Sequence, residues 1–351
     1  LPPENQITIP LPGDIVWNAY APYQWQGNPN IVYDFGVFYG RDSRLLLDEQ
    51  APMNMQLSRA SLIAHETAHM WFGNLVTMKW FDDVWLKEVF AGFMADKMVH
   101  PEFPDINHEL QFLLTHFPRA MAVDRSKGTH PIKQTLGNMK EAGTLYGAII
   151  YNKAPIVFRE LERLMGEDAF RLALKEYLSV FSFGNADWTD LAAIFDRYSE
   201  NDLLQWSDTW IYGTGMPAIY TRGMDEDYLR AADFLMAYED LVNNPQTAGN
   251  FLPELLRAIS REQDPQIARY LLNNLNGVFW RFLNSRERLE IAGMAEGVLW
   301  DRLLSAPESE KSMYAETFAQ IALTPESINK VALMAEGKSL AKGFDPGEEH
   351  R

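Results

Sequence analysis

The chain has 351 residues, no cysteine and a formal net charge of −17. The missing cysteines exclude disulfides, Cys-ligated metals and thiol nucleophiles, and the acidic balance argues against a nucleic-acid partner, because phosphate binding calls for basic patches. No run of eighteen consecutive apolar residues occurs, so no membrane span is expected.

Apolar content of 47% and aromatic content of 13% supply packed cores, and the length suits two domains. No charged-then-apolar leader is visible at the N-terminus. The start at Leu1-Pro2-Pro3, without Met, suggests a fragment or a processed chain. The composition suits a soluble protein and leaves the compartment open: cytoplasmic, or periplasmic or extracellular if a leader was removed. The negative surface would attract cationic substrates such as free peptide N-termini, weakly at physiological salt.

In chain order, residues 1–40 are rich in Pro, Asn and Gly, and Gln6–Ile9, Ile15–Ala19 and Ile31–Tyr39 predict short strands. From 41 to 215 the pattern turns helical. Helices are predicted near 57–72, 83–99, 106–123, 140–165, 166–181, 187–199 and 202–213. Gly73 is placed to stop the first helix. Asp82-Asp83 offers an N-cap and an acidic first turn for the second. Pro155 interrupts a helical pattern, which predicts a kink near Lys153–Ala154. Asp187-Trp188-Thr189-Asp190 reads as a helix start. Thr214-Gly215-Met216-Pro217 reads as a turn, and Thr221-Arg222-Gly223 as a domain boundary. Helices are then predicted over 226–243, 250–261, 264–282, 286–304, 307–322 and 325–342. Ser305-Ala306-Pro307-Glu308 fits a capping box, and Thr324-Pro325 a start with proline at the first helical position. This half resembles a stacked helical array without a strict repeat. The polar tail from Asp345 is expected to fray.

His65-Glu66-Thr67-Ala68-His69 reads H-E-x-x-H inside the first long helical pattern. Residues four apart share a helix face, so the two imidazoles can reach one zinc ion. Glu66, beside the first ligand, lies close enough to work on a water at the metal without binding the metal itself. A third ligand must come from elsewhere, with the fourth position open. Glu88, in the second turn of the next predicted helix, could supply it if the two helices pack. His108 and His116 are expected on a helix surface rather than at a second metal, and His130, before Pro131, is read as structural.

The residues around the motif extend the reading. His65-Glu66-Thr67-Ala68-His69-Met70-Trp71-Phe72-Gly73-Asn74-Leu75-Val76-Thr77-Met78-Lys79-Trp80 and Trp85-Leu86-Lys87-Glu88-Val89-Phe90-Ala91 closely resemble signatures of the zinc aminopeptidases of the aminopeptidase N family, which are gluzincins. Thr129-His130-Pro131-Ile132 resembles another family landmark. Tyr151-Asn152-Lys153-Ala154-Pro155 sits where the family has a Tyr-x-Lys-Gly segment, and Trp206–Tyr220 is similar to the end of its catalytic domain. The resemblance implies a mainly α (α+β) protein. Residues 1–40 would be a residual β segment edging the active site, 41–222 a thermolysin-like catalytic domain, and 223–351 a C-terminal α-helical domain. It implies one zinc ion on His65, His69 and Glu88, Glu66 as general base and then general acid, and Tyr151 as a donor to the developing oxyanion.

The chain departs from the family at three points. The Gly-x-Met-Glu-Asn element, whose Glu grips the substrate's α-ammonium, is not recognisable. The segment Tyr33–Arg41 resembles its surroundings, which leaves Asp34 as the nearest acid and a candidate substrate-binding residue, although a turn role suits it equally. Val89 stands where the family has Gly next to the third ligand, and the large N-terminal β domain is missing. The resemblance implies removal of N-terminal residues from peptides as the activity. Two alternatives stand beside it: a zinc endopeptidase without the amine anchor, and an inactive peptide-binding module.

Overall fold

The computed structural model describes residues 51–336, apart from Pro52, Met139, Glu141, Ala142 and Thr144, together with Leu47 and the backbone of two N-terminal strands. Those strands, β1 (Asp14–Tyr20) and β2 (Phe35–Arg41), pair antiparallel with Asp14 opposite Arg41 and Tyr20 opposite Phe35. The expected strand at Gln6–Ile9 lies outside the described residues, as do Asp34 and the C-terminal tail.

The protein is mainly α-helical. After the strands come α1 (Met53–Ala68), the short strand β3 (Val76–Met78), α2 (Val84–Val99) and α3 (His108–Asp124). A π-helical turn over Ile149–Lys153 then runs directly into α4 (Ala154–Met165), followed by α5 (Glu167–Val180), β4 (Gly184–Ala186), α6 (Trp188–Arg197) and α7 (Leu203–Trp210). Six further helices complete the described chain: α8 (Glu226–Asn243), α9 (Ala248–Arg261), α10 (Pro265–Arg281), α11 (Ser285–Ser305), α12 (Glu308–Ile321) and α13 (Pro325–Ala335). The chain divides into two compact units, one of Leu1–His108 with Thr115–Ile219, the other of Glu109–Leu114 with Tyr220–Arg351.

In the first unit α2 is the central helix. It buries Trp85, Leu86, Val89, Phe90 and Ala91, residues that point around the whole helix and not along one stripe. Trp85 meets Trp188 at 5.5 Å and Phe158 at 5.8 Å, and Phe90 meets Phe158 at 5.0 Å between ring centroids. Each such fully buried aromatic withdraws enough apolar surface to stabilise the fold by about 1.5–3 kcal/mol. On another side, Ala95 and Val99 of α2 take Leu57 and Ala64 of α1. The small side chains let the two helices come close, which is the packing that decides the site.

In the second unit the cores of α9 to α12 interlock through Leu255, Leu271, Phe279, Leu299, Tyr314 and Phe318. Arg230 bridges Asp227 and the buried Glu262, and Arg302 donates to the Glu262 carbonyl and the Tyr314 hydroxyl.

Several expectations need correction. The first helix ends at Ala68, not 72. Met70 and Trp71 hydrogen-bond three residues back, tightening the chain, and Gly73 reverses it at φ +125° with its N–H on the Val76 carbonyl. This turn feeds β3, which pairs in parallel with β4, Val76 opposite Gly184 and Met78 opposite Ala186. No strand is predicted at either segment, since each has only three residues. The helix expected from 140 is absent from the described residues before Ala148, a stretch that holds Gly143 and Gly147. Asp83 does not cap α2. Its carboxylate is buried and takes Lys133 at 2.6 Å. Ser305–Glu308 is no capping box, since α12 has Pro307 at its N-cap and no side-chain cap bond. Asp187 does cap α6, in a reciprocal box with Asp190. His108 stacks on His100 at 3.9 Å between ring centroids, and the His116 ring is partly buried, with Nδ1 out of contact with solvent.

Candidate metal centre

The last turn of α1 carries His65 and Glu66, and His69 follows at once, its N–H still bonded to the His65 carbonyl at 3.2 Å. The helical spacing therefore survives past the end of the helix, and both rings point the same way. Gly92 of α2 faces this contact, and a Cβ there would lie 4.0 Å from His65 Nδ1, an ordinary van der Waals distance. Across this contact α2 presents Glu88. Its Oε2 stands 3.4 Å from His65 Nε2 and 3.7 Å from His69 Nε2.

The donor set fits zinc. One atom from each of His65, His69 and Glu88 lies within 4.8 Å of the others. Tetrahedral zinc with bonds of about 2.0–2.1 Å needs ligand atoms about 3.4 Å apart, close to the two separations to Glu88. The surroundings also suit a metal ligand: His69 Nδ1 donates to the Phe72 carbonyl at 3.0 Å, which turns Nε2 toward Glu88. Burial would raise the Glu88 carboxyl, but hydrogen bonds from His65 and His69 and the charge of Lys87 outweigh it and hold the group well below the usual range. Burial would lower His69, and its bonds to Glu88 and the Phe72 carbonyl overcome that and raise it.

Glu66 and Tyr151 share one open cavity of about 580 Å³ with these three residues, lined also by Ser61, Leu62 and Lys87. Tyr151 sits in the π-turn, 41% exposed, with its ring stacked 6.3 Å from that of Tyr146. Burial, the charge and hydrogen bond of Glu88, and the charges of Tyr146 and Glu66 push its phenol above the usual range, so it stays a donor at neutral pH. The irregularity expected near Lys153–Ala154 is this π-turn, which ends two residues before Pro155.

Sequence reasoning assigned no role to Lys87, whose Nζ reaches Glu88 Oε1 at 3.3 Å. Its only signal was adjacency to Glu88. Val89, where the resemblance expects Gly, is buried in the core of the unit and does not line the cavity. Among the described residues lining the cavity, the acids are Glu66 and Glu88.

Comparison with known proteins decides the family. Residues 33–210, half of the chain, match the peptidase family M1 domain. The chain belongs to peptidase family M1. Curated relatives carry aminopeptidase names. A probable aminopeptidase 1 of Sulfurisphaera tokodaii is 37% identical over 186 residues, 53% of this chain and 24% of that protein. A leucyl aminopeptidase of Saccharolobus solfataricus is 35% identical over 186 residues, again 53% and 24%. The aminopeptidase N of Lactococcus lactis is 29% identical over 322 residues, 88% of this chain and 35% of that protein, so its similarity runs on into the second unit of this M1 chain. The chain thus spans about a quarter to a third of the length of these relatives.

Proposed function

We propose that this M1 chain hydrolyses peptides with one zinc ion held by His65, His69 and Glu88, and that it removes N-terminal residues. The observation that carries the reading is the convergence of these three ligand side chains with Glu66 and Tyr151 on one open cavity. Zinc, when bound, would supply Lewis acidity to the scissile carbonyl and to water. Glu66 takes the proton of the attacking water as the C–O bond forms, then delivers it to the amine nitrogen as the C–N bond breaks. Tyr151 donates its O–H to the oxygen that becomes negative. Lys87 holds the far oxygen of Glu88 and so limits its rotation. Residues 41–222 would form the catalytic part, with 223–351 as a helical domain.

The preference for N-terminal residues rests on the relatives' names, and it needs an anchor for the substrate ammonium. Glu66 and Glu88, the acids among the described residues lining the cavity, are both committed, and Asp34, which lies outside the described residues, stays the candidate anchor. The test uses a leucine 4-nitroanilide and its N-acetylated form. Zinc-dependent release from the free amine, lost in Glu66→Gln and absent with the acetylated substrate, supports the proposal. Equal turnover of both substrates makes the chain an endopeptidase, and no turnover by a zinc-loaded wild type makes it a binding module.

A further inference from the structure

A second cavity, of about 770 Å³, opens on the first unit between α2 and α5. Small-molecule sites span about 300–1,000 Å³. It shares no lining residue with the cavity of His65, His69 and Glu88. Its walls follow from helical spacing. On α5, Phe170, Leu174 and Leu178 recur every four residues and make one apolar ridge. Phe93, Met94 and Met98 of α2 line the other side, and Trp71 and Leu75 from the turn after α1 complete the apolar lining. The cavity runs deep. Ala68, Phe72, Phe170 and Leu174 line it and are each exposed by 5% or less, whereas Trp71 and Met98, at 45%, stand at its mouth.

The rim is cationic. The row beside the apolar ridge of α5 is Arg171, Lys175 and Ser179. The acids on the lining, Glu162 and Glu167, are both taken by Lys97, at 2.6 and 3.0 Å. Glu176, next to Lys175, is bonded by Arg197 and Tyr198. Arg171 meets Asp168 at 3.2 Å in a solvent-exposed pair, the kind that holds a side chain least. The Lys175 ammonium has no ion pair or hydrogen bond among the described residues. Two available cations, one helical turn apart, therefore border an apolar cavity in a chain of net charge −17.

We propose that this cavity binds one long-chain carboxylate, with its alkyl chain along Phe170, Leu174 and Leu178 and its head on Arg171 and Lys175. A guanidinium takes a carboxylate through two parallel N–H···O bonds, and an ammonium adds a further charged donor. Depth favours a single chain over a lipid surface, because a flat bilayer does not reach Ala68 or Phe170 and one extended alkyl chain does. The site does not depend on the zinc reading.

The experiment is calorimetric titration of the full chain with decanoate, octanoate and decanol, with metal chelated so that a carboxylate on zinc does not count. It is repeated on Arg171→Met/Lys175→Met and on Met98→Glu; all three residues are exposed, so the fold is kept. Carbon-13 methionine methyl spectra locate the ligand. The expected result is one decanoate per chain with a Kd of about 10–100 µM. Octanoate, two methylenes shorter, binds about ten- to fifteen-fold more weakly. Removing both cations weakens decanoate about ten-fold and changes decanol less than about two-fold, because the anion alone loses charge-assisted hydrogen bonds. Met98→Glu, a negative charge at the mouth, weakens decanoate and spares decanol. The Met94 and Met98 methyl signals shift on binding. No saturable binding, equal losses for decanoate and decanol without the two cations, or unshifted Met94 and Met98 methyls overturns the proposal. So does binding only to phosphatidylglycerol vesicles, which makes the face a membrane contact, or a wild-type dimer that Met98→Glu dissociates, which makes it a contact between copies.

Discussion

The buried Lys153–Asp124 pair is open to a test by single substitution. The Lys153 side chain is fully buried, and its ammonium has the Asp124 carboxylate, 8% exposed, at 2.8 Å. Lys153→Met keeps the aliphatic volume and deletes the charge. Asp124 is then a buried carboxylate left with the Thr129 hydroxyl. Breaking a buried pair from one side costs about 3–5 kcal/mol, because the remaining charge is desolvated without compensation. A unit of about 200 residues loses about 2–4 °C of Tm per kcal/mol, so Tm should fall by about 6–20 °C. The assay is calorimetric and urea unfolding of the wild type, Lys153→Met and Lys153→Met/Asp124→Leu. Replacing both partners by apolar groups is far less costly than removing one, so the double variant should regain most of the loss. A Tm drop below about 2 °C in the single variant, or a double variant that is worse by the sum of both changes, would refute the reasoning.

Two further outcomes follow from the same geometry. Asp187 caps α6 and is bonded by Thr189 and by Lys79. Burial works to raise its carboxyl, but these bonds prevail and bring it to about 2. A depressed carboxyl adds stability above its ordinary pKa, and that stability disappears as pH falls through the folded value. Asp187→Ala should thus cost about 0.5–2 kcal/mol at pH 7, with the gap to wild type closing as the pH approaches about 2; urea titrations at both pH values check it, and a gap that does not change with pH speaks against it. Gly73 lies at φ +125°, a region that an L side chain adopts only under strain. Gly73→Ala should lower stability by about 1–3 kcal/mol in urea unfolding, and it should weaken zinc binding, because the same turn presents the Phe72 carbonyl to His69.

Much of the helical framework was legible because its signals are local. The pattern from Val84 to Val99 is long and apolar, Asp187 carries its capping partner three residues on, and Thr324-Pro325 opens α13 as a cap and first-turn proline do. The approach of Glu88 to His65 and His69 could be anticipated from two helix faces and a shared signature. What escaped depends on partners distant in sequence. The β3–β4 pair joins two three-residue strands, Val76–Met78 and Gly184–Ala186, too short for any periodicity to register. Asp83 has the look of a cap, yet Lys133 draws its carboxylate into the interior. Pro155 announced an irregularity, but its form, a π-turn, goes with bonds to another helix, Asn152 to Thr115 and Lys153 to Asp124. The ends of α1 show the same limit: residues up to Trp71 have helical composition, and the tightening that stops the helix belongs to the turn at Gly73.

The account stands or falls on the metal. Zinc per chain, measured by elemental analysis after dialysis against micromolar zinc and gel filtration, tests it most directly. The geometry predicts one zinc per wild-type chain, the same in Glu66→Gln, and none retained in Glu88→Ala or His69→Ala. A wild type that holds no stoichiometric zinc, or an Glu88→Ala variant that holds as much as the wild type, would contradict it.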